Sequence, residues 1–194
     1  TAAPTPISIQ RASVGYDAWA VQASTPVASI PMTVPYTLSE PNVLLLDMAK
    51  YSTDGVHFSE SEEETIRIDT ACRASFGLPL IVGKISPQPW SVCDDVKKRV
   101  FLRFTFDCDT ETELFLAAEK IEALRFNGED VDLNAVGHYV DRDIKKYPLP
   151  APKLGANTID AEVIISKTVG IEPMYLLGDF EATVKKTISV PQRF

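Results

Sequence analysis

Acidic side chains recur in closely spaced pairs along this chain, and paired carboxylates are the groups that hydrolyse glycosidic bonds. The pairs are Asp107 and Asp109, Glu119 and Glu122, Asp141 and Asp143, and Asp179 and Glu181. A glycosidase holds one carboxyl as the acid and a second as base or nucleophile, about 5–10 Å apart. Each pair here lies two or three residues apart on or near a predicted strand or turn. Because solvated faces and turn caps use the same residues, the spacing alone does not identify a catalytic pair.

Other residue types that carry chemistry are sparse. His57 and His138 are the only histidines, and neither lies in a pattern typical of an activated serine or a zinc ligand. The three cysteines have no metal-type spacing, which favours buried free thiols and leaves a single disulfide as the alternative: Cys72, Cys93 and Cys108. The sequence therefore predicts no catalytic residues, no metal and no cofactor.

Sugar binding needs an aromatic face against the pyranose ring and polar side chains that bridge its hydroxyls. The aromatic candidates are Trp19, Trp90, Tyr139, Tyr147 and Tyr175, and the polar candidates are Asn127, Asp141, Arg142 and Asp143. From these we predict one ligand-binding set, consisting of Trp90, Tyr139, Asp141, Arg142 and Asp143. Structural alternatives stay open for several of them, since Trp90 can plug the edge of a sandwich and Asn127 is explained by a turn. Asp141, Arg142 and Asp143 can also form a surface ion pair worth under about 1 kcal/mol.

Short strands with alternating apolar and polar residues are predicted to position these sugar-binding candidates. In the run from Val100 to Phe106 the apolar side chains follow a two-residue period, which predicts a strand. The dipeptide Asn127-Gly128 after another apolar run predicts a hairpin turn, because both residues tolerate positive φ. Further strands are predicted around residues 114–116, 121–126, 131–133, 138–140, 144–149, 158–165, 174–177 and 180–190. Strands at roughly ten-residue spacing predict an all-β sandwich or jelly roll.

The first half of the chain contains the one predicted helix, over residues 61–76. Ser59 or Ser61 is the predicted N-cap, followed by acidic residues that suit the first turn. Ile68, Cys72 and Phe76 form the predicted buried stripe, and Gly77 ends the helix. A calcium site is the alternative interpretation of these carboxylates.

Domain boundaries follow from proline content. Residues 1–41 contain six prolines, which predicts an extended segment or edge strands. Residues 42–194 are predicted to form the sandwich, beginning with a buried strand over 42–47. Because the chain begins at Thr1 without a methionine, we expect a processed protein or a piece of a longer one.

Composition narrows the classes of partner. The chain has 194 residues and a formal net charge of −8, and its basic residues form only short clusters. This charge argues against nucleic acid as a partner. No apolar run approaches the roughly 18 residues that cross a bilayer, so no membrane partner is predicted.

An ordered set of segments resembles a known group of proteins. The segments are residues 42–47, Gln88-Pro89-Trp90, residues 100–106, Arg125-Phe126-Asn127-Gly128, residues 138–142, residues 154–159, and residues 172–180, from Glu172-Pro173-Met174 to Gly178-Asp179-Phe180. Their order resembles the C-terminal region of large bacterial glycoside-hydrolase-like proteins related to family 2 and the α-L-rhamnosidases. The resemblance implies a galactose-binding-like jelly roll and a parent protein of carbohydrate metabolism. The chain departs from that pattern at Glu181-Ala182, where Gly-Val is expected.

The expected function is therefore a non-catalytic accessory module of a glycoside-hydrolase-like protein, either carbohydrate-binding or structural. Its expected partners are a carbohydrate and the catalytic domain of the same parent chain. Two alternatives remain. The chain can be a glycoside hydrolase in its own right, with Asp141 or Glu172 among its acids, or an interaction scaffold that binds no sugar.

Overall fold

Alternating apolar and polar side chains fold the described part of this chain into two largely antiparallel sheets. A computed structural model describes residues 39–81, 96–183 and 187–189. The chain divides into two units, Thr1–Pro35 and Tyr36–Phe194, and all described residues belong to the second. The predicted proline-rich segment falls almost entirely outside the described residues, so the boundary at residue 41 remains a prediction.

Two sheets contain all the described strands. The first sheet has the order β1 (Asn42–Leu46), β11 (Met174–Gly178), β5 (Leu114–Ala118), β9 (Asp141–Pro148) and β8 (Gly137–Tyr139). The second sheet has the order β12 (Glu181–Ala182), β13 (Thr187–Ser189), β4 (Lys98–Cys108), β10 (Gly155–Ile165), β6 (Ala123–Phe126) and β7 (Glu129–Asp130). The second sheet also includes β2 (Met48–Ser52), which pairs with β4 on one side and with β3 (Glu63–Glu64) on the other.

The pairing order is that of a jelly roll. Strand β1 pairs with β11, β4 with β10, β5 with β9, and β6 with β7, so among these eight strands the first pairs with the last and the two innermost pair with each other. All four pairs are antiparallel. Eight strands arranged as two Greek keys define this double-sheet architecture. The predicted all-β sandwich with one short helix is confirmed.

The core lies between the two sheets, because each long strand turns every second side chain inward. In β4 the side chains of Val100, Leu102, Phe104 and Phe106 are buried. They meet the inward side chains of β10, β5 and β11, which include Ile159, Leu116 and Leu176. Burying each such side chain contributes about 1.5–3 kcal/mol, so this interior holds the sandwich together.

The helix begins later than predicted. Helix α1 spans Thr65–Phe76, and the residue before it, Glu64, makes no side-chain capping bond. Glu63 and Glu64 instead pair as β3 with β2, and the Thr65 N–H donates to the carbonyl of Asp47 at 2.8 Å. The serine cap and the acidic first turn were therefore wrong predictions. The buried stripe is confirmed at Ile68 and Cys72, and Gly77 ends the helix with φ of 68°.

Most strand predictions are confirmed, with four exceptions. The single strand predicted over residues 180–190 is instead two short strands, β12 and β13, which pair antiparallel with each other. Residues 131–133 are not a strand, since β7, which directly precedes them, ends at Asp130. Strand β2 was not predicted. Strand β1 was predicted to be buried, but within the described part of the chain it pairs only with β11 and exposes 43% of Leu45.

Candidate functional site

The predicted sugar-binding residues cluster on the hairpin that joins β8 to β9, at the edge of the first sheet. Tyr139 ends β8, and Asp141, Arg142 and Asp143 begin β9. The ring of Tyr139 packs against that of Tyr175, with the centroids 5.3 Å apart and the planes tilted by 51°. Sequence reasoning listed both tyrosines without predicting this contact. Trp90, the remaining member of the predicted set, lies outside the described residues.

Hydrogen bonds of the polar members are local. The Asp141 carboxylate accepts the backbone N–H of Asp143 at 2.9 Å, and the carbonyl of Arg142 accepts a bond from the Lys145 ammonium at 2.6 Å. No ion pair joins Arg142 to either aspartate in residues 39–81, 96–183 and 187–189. The surface ion pair considered as an alternative is therefore not formed, and all three side chains are exposed.

The tip of this hairpin carries an unusual residue. Val140 has φ of 57° and is 84% exposed. Positive φ is costly for a β-branched residue, because its side chain crowds the following carbonyl. The hairpin thus presents an apolar side chain to solvent beside Tyr139 and Asp141.

Two other sugar-binding candidates have structural roles. Tyr147 points into the core and is 6% exposed, and its burial raises the pKa of its hydroxyl. The Asn127 side chain donates to Asn157 and accepts the Thr158 N–H at 3.0 Å, while its φ of 52° forms the predicted turn with Gly128. The core position of Tyr147 and the turn at Asn127 explain these two residues without a ligand.

The outer face of the first sheet is apolar around Tyr175. Paired residues in antiparallel strands share a face, and the register aligns Leu45, Tyr175 and Ala117 in one row. The adjoining row contains Val43, Leu177 and Phe115. Along its edge the Lys146 ammonium lies 4.6 Å from the centre of the Phe115 ring.

The outer face of the second sheet is charged instead. Arg103 on β4 binds Asp160 on β10 through two bonds of 2.6 and 3.2 Å, and its guanidinium lies 4.1 Å from the Phe58 ring centre. Arg99 pairs with Glu162 across the same strands. A sheet face that carries charged side chains in this way is typical of a face in contact with water.

A small cavity lies where the β5–β6 connection meets the β10–β11 connection. Its volume is about 100 Å³, and the carboxylates in its wall are Glu119 and Glu172. Partial burial, and then the negative charges of Glu119 and Asp69, raise the pKa of Glu172. Small-molecule sites measure roughly 300–1,000 Å³, so this cavity is too small for a pyranose. Asp141, the other predicted acid, does not line it.

Ser52, Asp54 and His57 form a cluster that contains the residue types of a catalytic triad. Asp54 accepts bonds from the Ser52 hydroxyl and from His57 Nδ1, both at 2.8 Å. In a triad the serine bonds to the histidine, whereas here both side chains bond to the aspartate. The Asp54 carboxylate also accepts the N–H groups of Val56 and His57. These bonds stabilise a turn, and none of them activates Ser52 as a nucleophile.

A buried ionic network anchors the helix to the β10–β11 connection. Arg73 is fully buried, and its Nε donates to Asp69 at 2.6 Å. Its remaining donors bind the carbonyls of Pro79, Ser166 and Val169. Asp69 in turn accepts the Ile171 N–H at 3.0 Å. Sequence reasoning missed this network, although the i, i+4 spacing of Asp69 and Arg73 beside Ile68 and Cys72 was a usable signal.

Two of the three cysteines are buried free thiols, as predicted. Burial, together with the nearby Asp69 carboxylate, raises the pKa of Cys72 to about 11. Cys108 is also buried with a raised pKa, mainly because of desolvation. Cys93 lies outside the described residues. A thiol with a raised pKa is a poor nucleophile, so neither described cysteine is primed for catalysis.

Metal-binding clusters and membrane-spanning helices are both absent from residues 39–81, 96–183 and 187–189. No three histidine, cysteine or acidic side chains converge there in a way that could hold a metal ion. No helix in this part of the chain is both long and apolar enough to cross a membrane.

Comparison with known proteins gives no relative from which a function could be transferred. No protein-family model, no curated protein and no solved structure matches this chain.

Proposed function

We propose that this sandwich is a non-catalytic structural module that works by assembling with other protein subunits. Jelly rolls serve as viral capsid domains, lectin domains and cupins. Because a fold alone does not determine which of these roles a protein has, the proposal rests on the surface of this molecule.

The single observation that carries the proposal is the contrast between the two outer faces. The second sheet covers its outer face with ion pairs such as Arg103–Asp160. The first sheet instead presents Val43, Leu45 and Tyr175 on its outer face, and Leu45 is 43% exposed. Apolar surface rimmed by polar groups marks protein contact sites on soluble proteins.

Two further sites in the described residues support the same proposal, because neither is arranged for catalysis. The cavity at Glu119 and Glu172 is about 100 Å³, and the Ser52–Asp54–His57 cluster lacks the order of bonds that activates a serine. A lectin or glycosidase needs a larger concave site with converging polar groups. Assembly needs only a complementary surface.

Sedimentation velocity of the full chain at increasing concentration tests the proposal. The expected result is a weight-average mass that rises above the 21.4 kDa of a single chain. An aryl-glycoside panel is the parallel measurement, and no turnover is expected. Turnover that is lost in Asp141→Asn would overturn the proposal in favour of a hydrolase.

The second candidate function is the accessory carbohydrate-binding module of a glycoside-hydrolase-like parent. The favouring observation is the Tyr139–Tyr175 pair, which lies beside the exposed Asp141 and Arg142. An aromatic platform next to planar polar groups is the arrangement that stacks on a pyranose and bonds its hydroxyls.

Calorimetric titration with a sugar panel tests this second candidate. Binding heat that disappears in Tyr139→Ala and persists in Tyr139→Phe would support it, since phenylalanine keeps the ring. No heat at millimolar sugar with the unaltered chain would remove the candidate.

A further inference from the structure

The turn between β6 and β7 carries two neighbouring residues that can react with each other. A glycine after an asparagine leaves the backbone nitrogen unhindered, because glycine has no Cβ. Gly128 is exposed with φ of 86°, and among the described residues no atom outside its chain neighbours lies within 4 Å of the position of a Cβ. The Gly128 nitrogen is therefore open to attack the side chain of Asn127.

The reaction is deamidation, in which the Gly128 backbone nitrogen attacks the side-chain carbonyl carbon of Asn127. Because both groups belong to adjacent residues, the step is intramolecular. A nitrogen–carbon bond forms, the side-chain nitrogen leaves as ammonia with the proton from Gly128, and a five-membered succinimide remains. Water then opens the ring at one of its two carbonyls. The product at residue 127 is aspartate or isoaspartate, and no oxidant or reductant takes part.

Two hydrogen bonds hold the Asn127 side-chain amide against strand β10, and we name them the amide clamp. Oδ1 of Asn127 accepts the Thr158 N–H at 3.0 Å, and Nδ2 donates to Asn157 Oδ1 at 2.9 Å. The Asn127 backbone N–H also donates to the Thr158 carbonyl, at 2.8 Å. Strand β6 lies between β10 and β7, whereas Gly128 is in the turn that leads to β7. The clamp therefore holds the amide on the side of β6 away from β7.

We propose that Asn127 is a site of spontaneous deamidation, which the amide clamp slows in the folded protein. Nδ2 has to depart as ammonia, so its bond to Asn157 must break during the reaction. Oδ1 has to turn with the ring that forms, so its bond to Thr158 must break as well. The reaction then proceeds only from molecules in which the clamp has opened locally.

Deamidation prevents the clamp from forming again. Asn157 is fully buried, its Nδ2 donates to the carbonyls of Lys153 and Gly155, and its Oδ1 accepts the Lys153 N–H at 2.8 Å. A carboxylate at residue 127 has only acceptors, so it faces the Asn157 oxygen with no proton between them. Reversing the Asn157 amide would leave two carbonyls without their donor. The modification is one-way, and it loosens the β6–β7 hairpin from β10.

Peptide mass spectrometry of the full chain tests the clamp, because deamidation changes the mass of the peptide that contains residue 127. The chain is incubated folded and in urea, at the same pH and temperature. We expect deamidation to be at least about tenfold slower in the folded chain. Asn157→Ala removes one bond of the clamp and should raise the folded rate toward the rate in urea, which should not change. Equal rates for the unaltered chain in the two conditions, or no reaction in urea, would overturn the proposal even if Asn157→Ala does not fold.

Asn127→Asp tests the consequence, because it reproduces the aspartate product. The variant should melt roughly 2–8 °C below the unaltered chain at pH 7. The difference should narrow below about pH 4, since a protonated carboxyl regains an O–H to donate to Asn157. Asn134→Asp is the matched control at an exposed asparagine and should melt close to the unaltered chain. If Asn127→Asp melts like the unaltered chain at pH 7, deamidation does not loosen the hairpin and this part of the proposal is wrong.

Discussion

Arg73 shows how one buried side chain can hold several segments of this fold together. It bonds to Asp69 on its own helix and to carbonyls of Pro79, Ser166 and Val169. A buried pair of this kind is not itself strong support for stability, because desolvation offsets its attraction. Removing one partner is different, since the other charge then stays buried and unpaired.

Replacing Arg73 should therefore be severe. Arg73→Ala leaves Asp69 and three carbonyls without their partner, and we expect the free energy of unfolding to fall by about 3–5 kcal/mol. Urea denaturation measures the change. Arg67→Ala is the control on the same helix, where an exposed arginine pairs with Glu63 and Glu64. That control should lose under about 1 kcal/mol. Equal losses in the two variants would contradict the role assigned to Arg73.

Asp54 gives the fold a defined acid sensitivity. The bond from His57 Nδ1, and then the N–H groups of His57 and Val56 and the Ser52 hydroxyl, hold the pKa of this carboxyl well below its usual range. A carboxyl with a lowered pKa in the folded state adds stability above its unfolded pKa of about 3.9, and that stability is lost as the pH falls toward the folded pKa.

Thermal melts of Asp54→Asn from pH 7 to pH 2 test this linkage. We expect the variant to melt below the unaltered chain at pH 7 because it lacks the charged acceptor. The difference should narrow as the pH falls below about 4. A difference that stays the same down to pH 2 would show that the charge of Asp54 does not matter.

At the scale of elements, the sequence predicted strands where the two-residue period was long and clear. Strand β4 was confirmed for this reason, and so was the turn at Asn127-Gly128. The helix start failed because Glu63 and Glu64 satisfy their backbone groups in a pairing with β2. That pairing depends on a distant segment, whereas capping rules use only local residues.

The end of strand β11 depends on a glycine for packing rather than for backbone conformation. A Cβ at Gly178 would lie 2.7 Å from the Glu113 carbonyl oxygen and 2.9 Å from a ring carbon of Phe180. Gly178→Ala should therefore displace β11 from the β4–β5 connection and reduce the free energy of unfolding by about 1–3 kcal/mol. Urea denaturation measures this, and a change below about 0.5 kcal/mol would show that the site relaxes freely.

At the scale of the whole molecule, sequence reasoning reached the sandwich but not its pairing order. Asn42 pairs with Gly178 across most of the described chain, and no local pattern specifies that contact. In the candidate site, too, only the contacts between neighbours in sequence could be predicted. Asp141 to Asp143 were identified because they are neighbours in sequence, whereas the Tyr139–Tyr175 contact required the assembled first sheet.

Sedimentation velocity of the full chain tests most directly whether this molecule works by assembling with other subunits. Runs at increasing concentration compare the unaltered chain with Leu45→Lys, which places a charge on the apolar outer face of the first sheet. We predict a weight-average mass above the 21.4 kDa of a single chain for the unaltered protein and a lower mass for the variant. A mass of 21.4 kDa at every concentration would contradict the account.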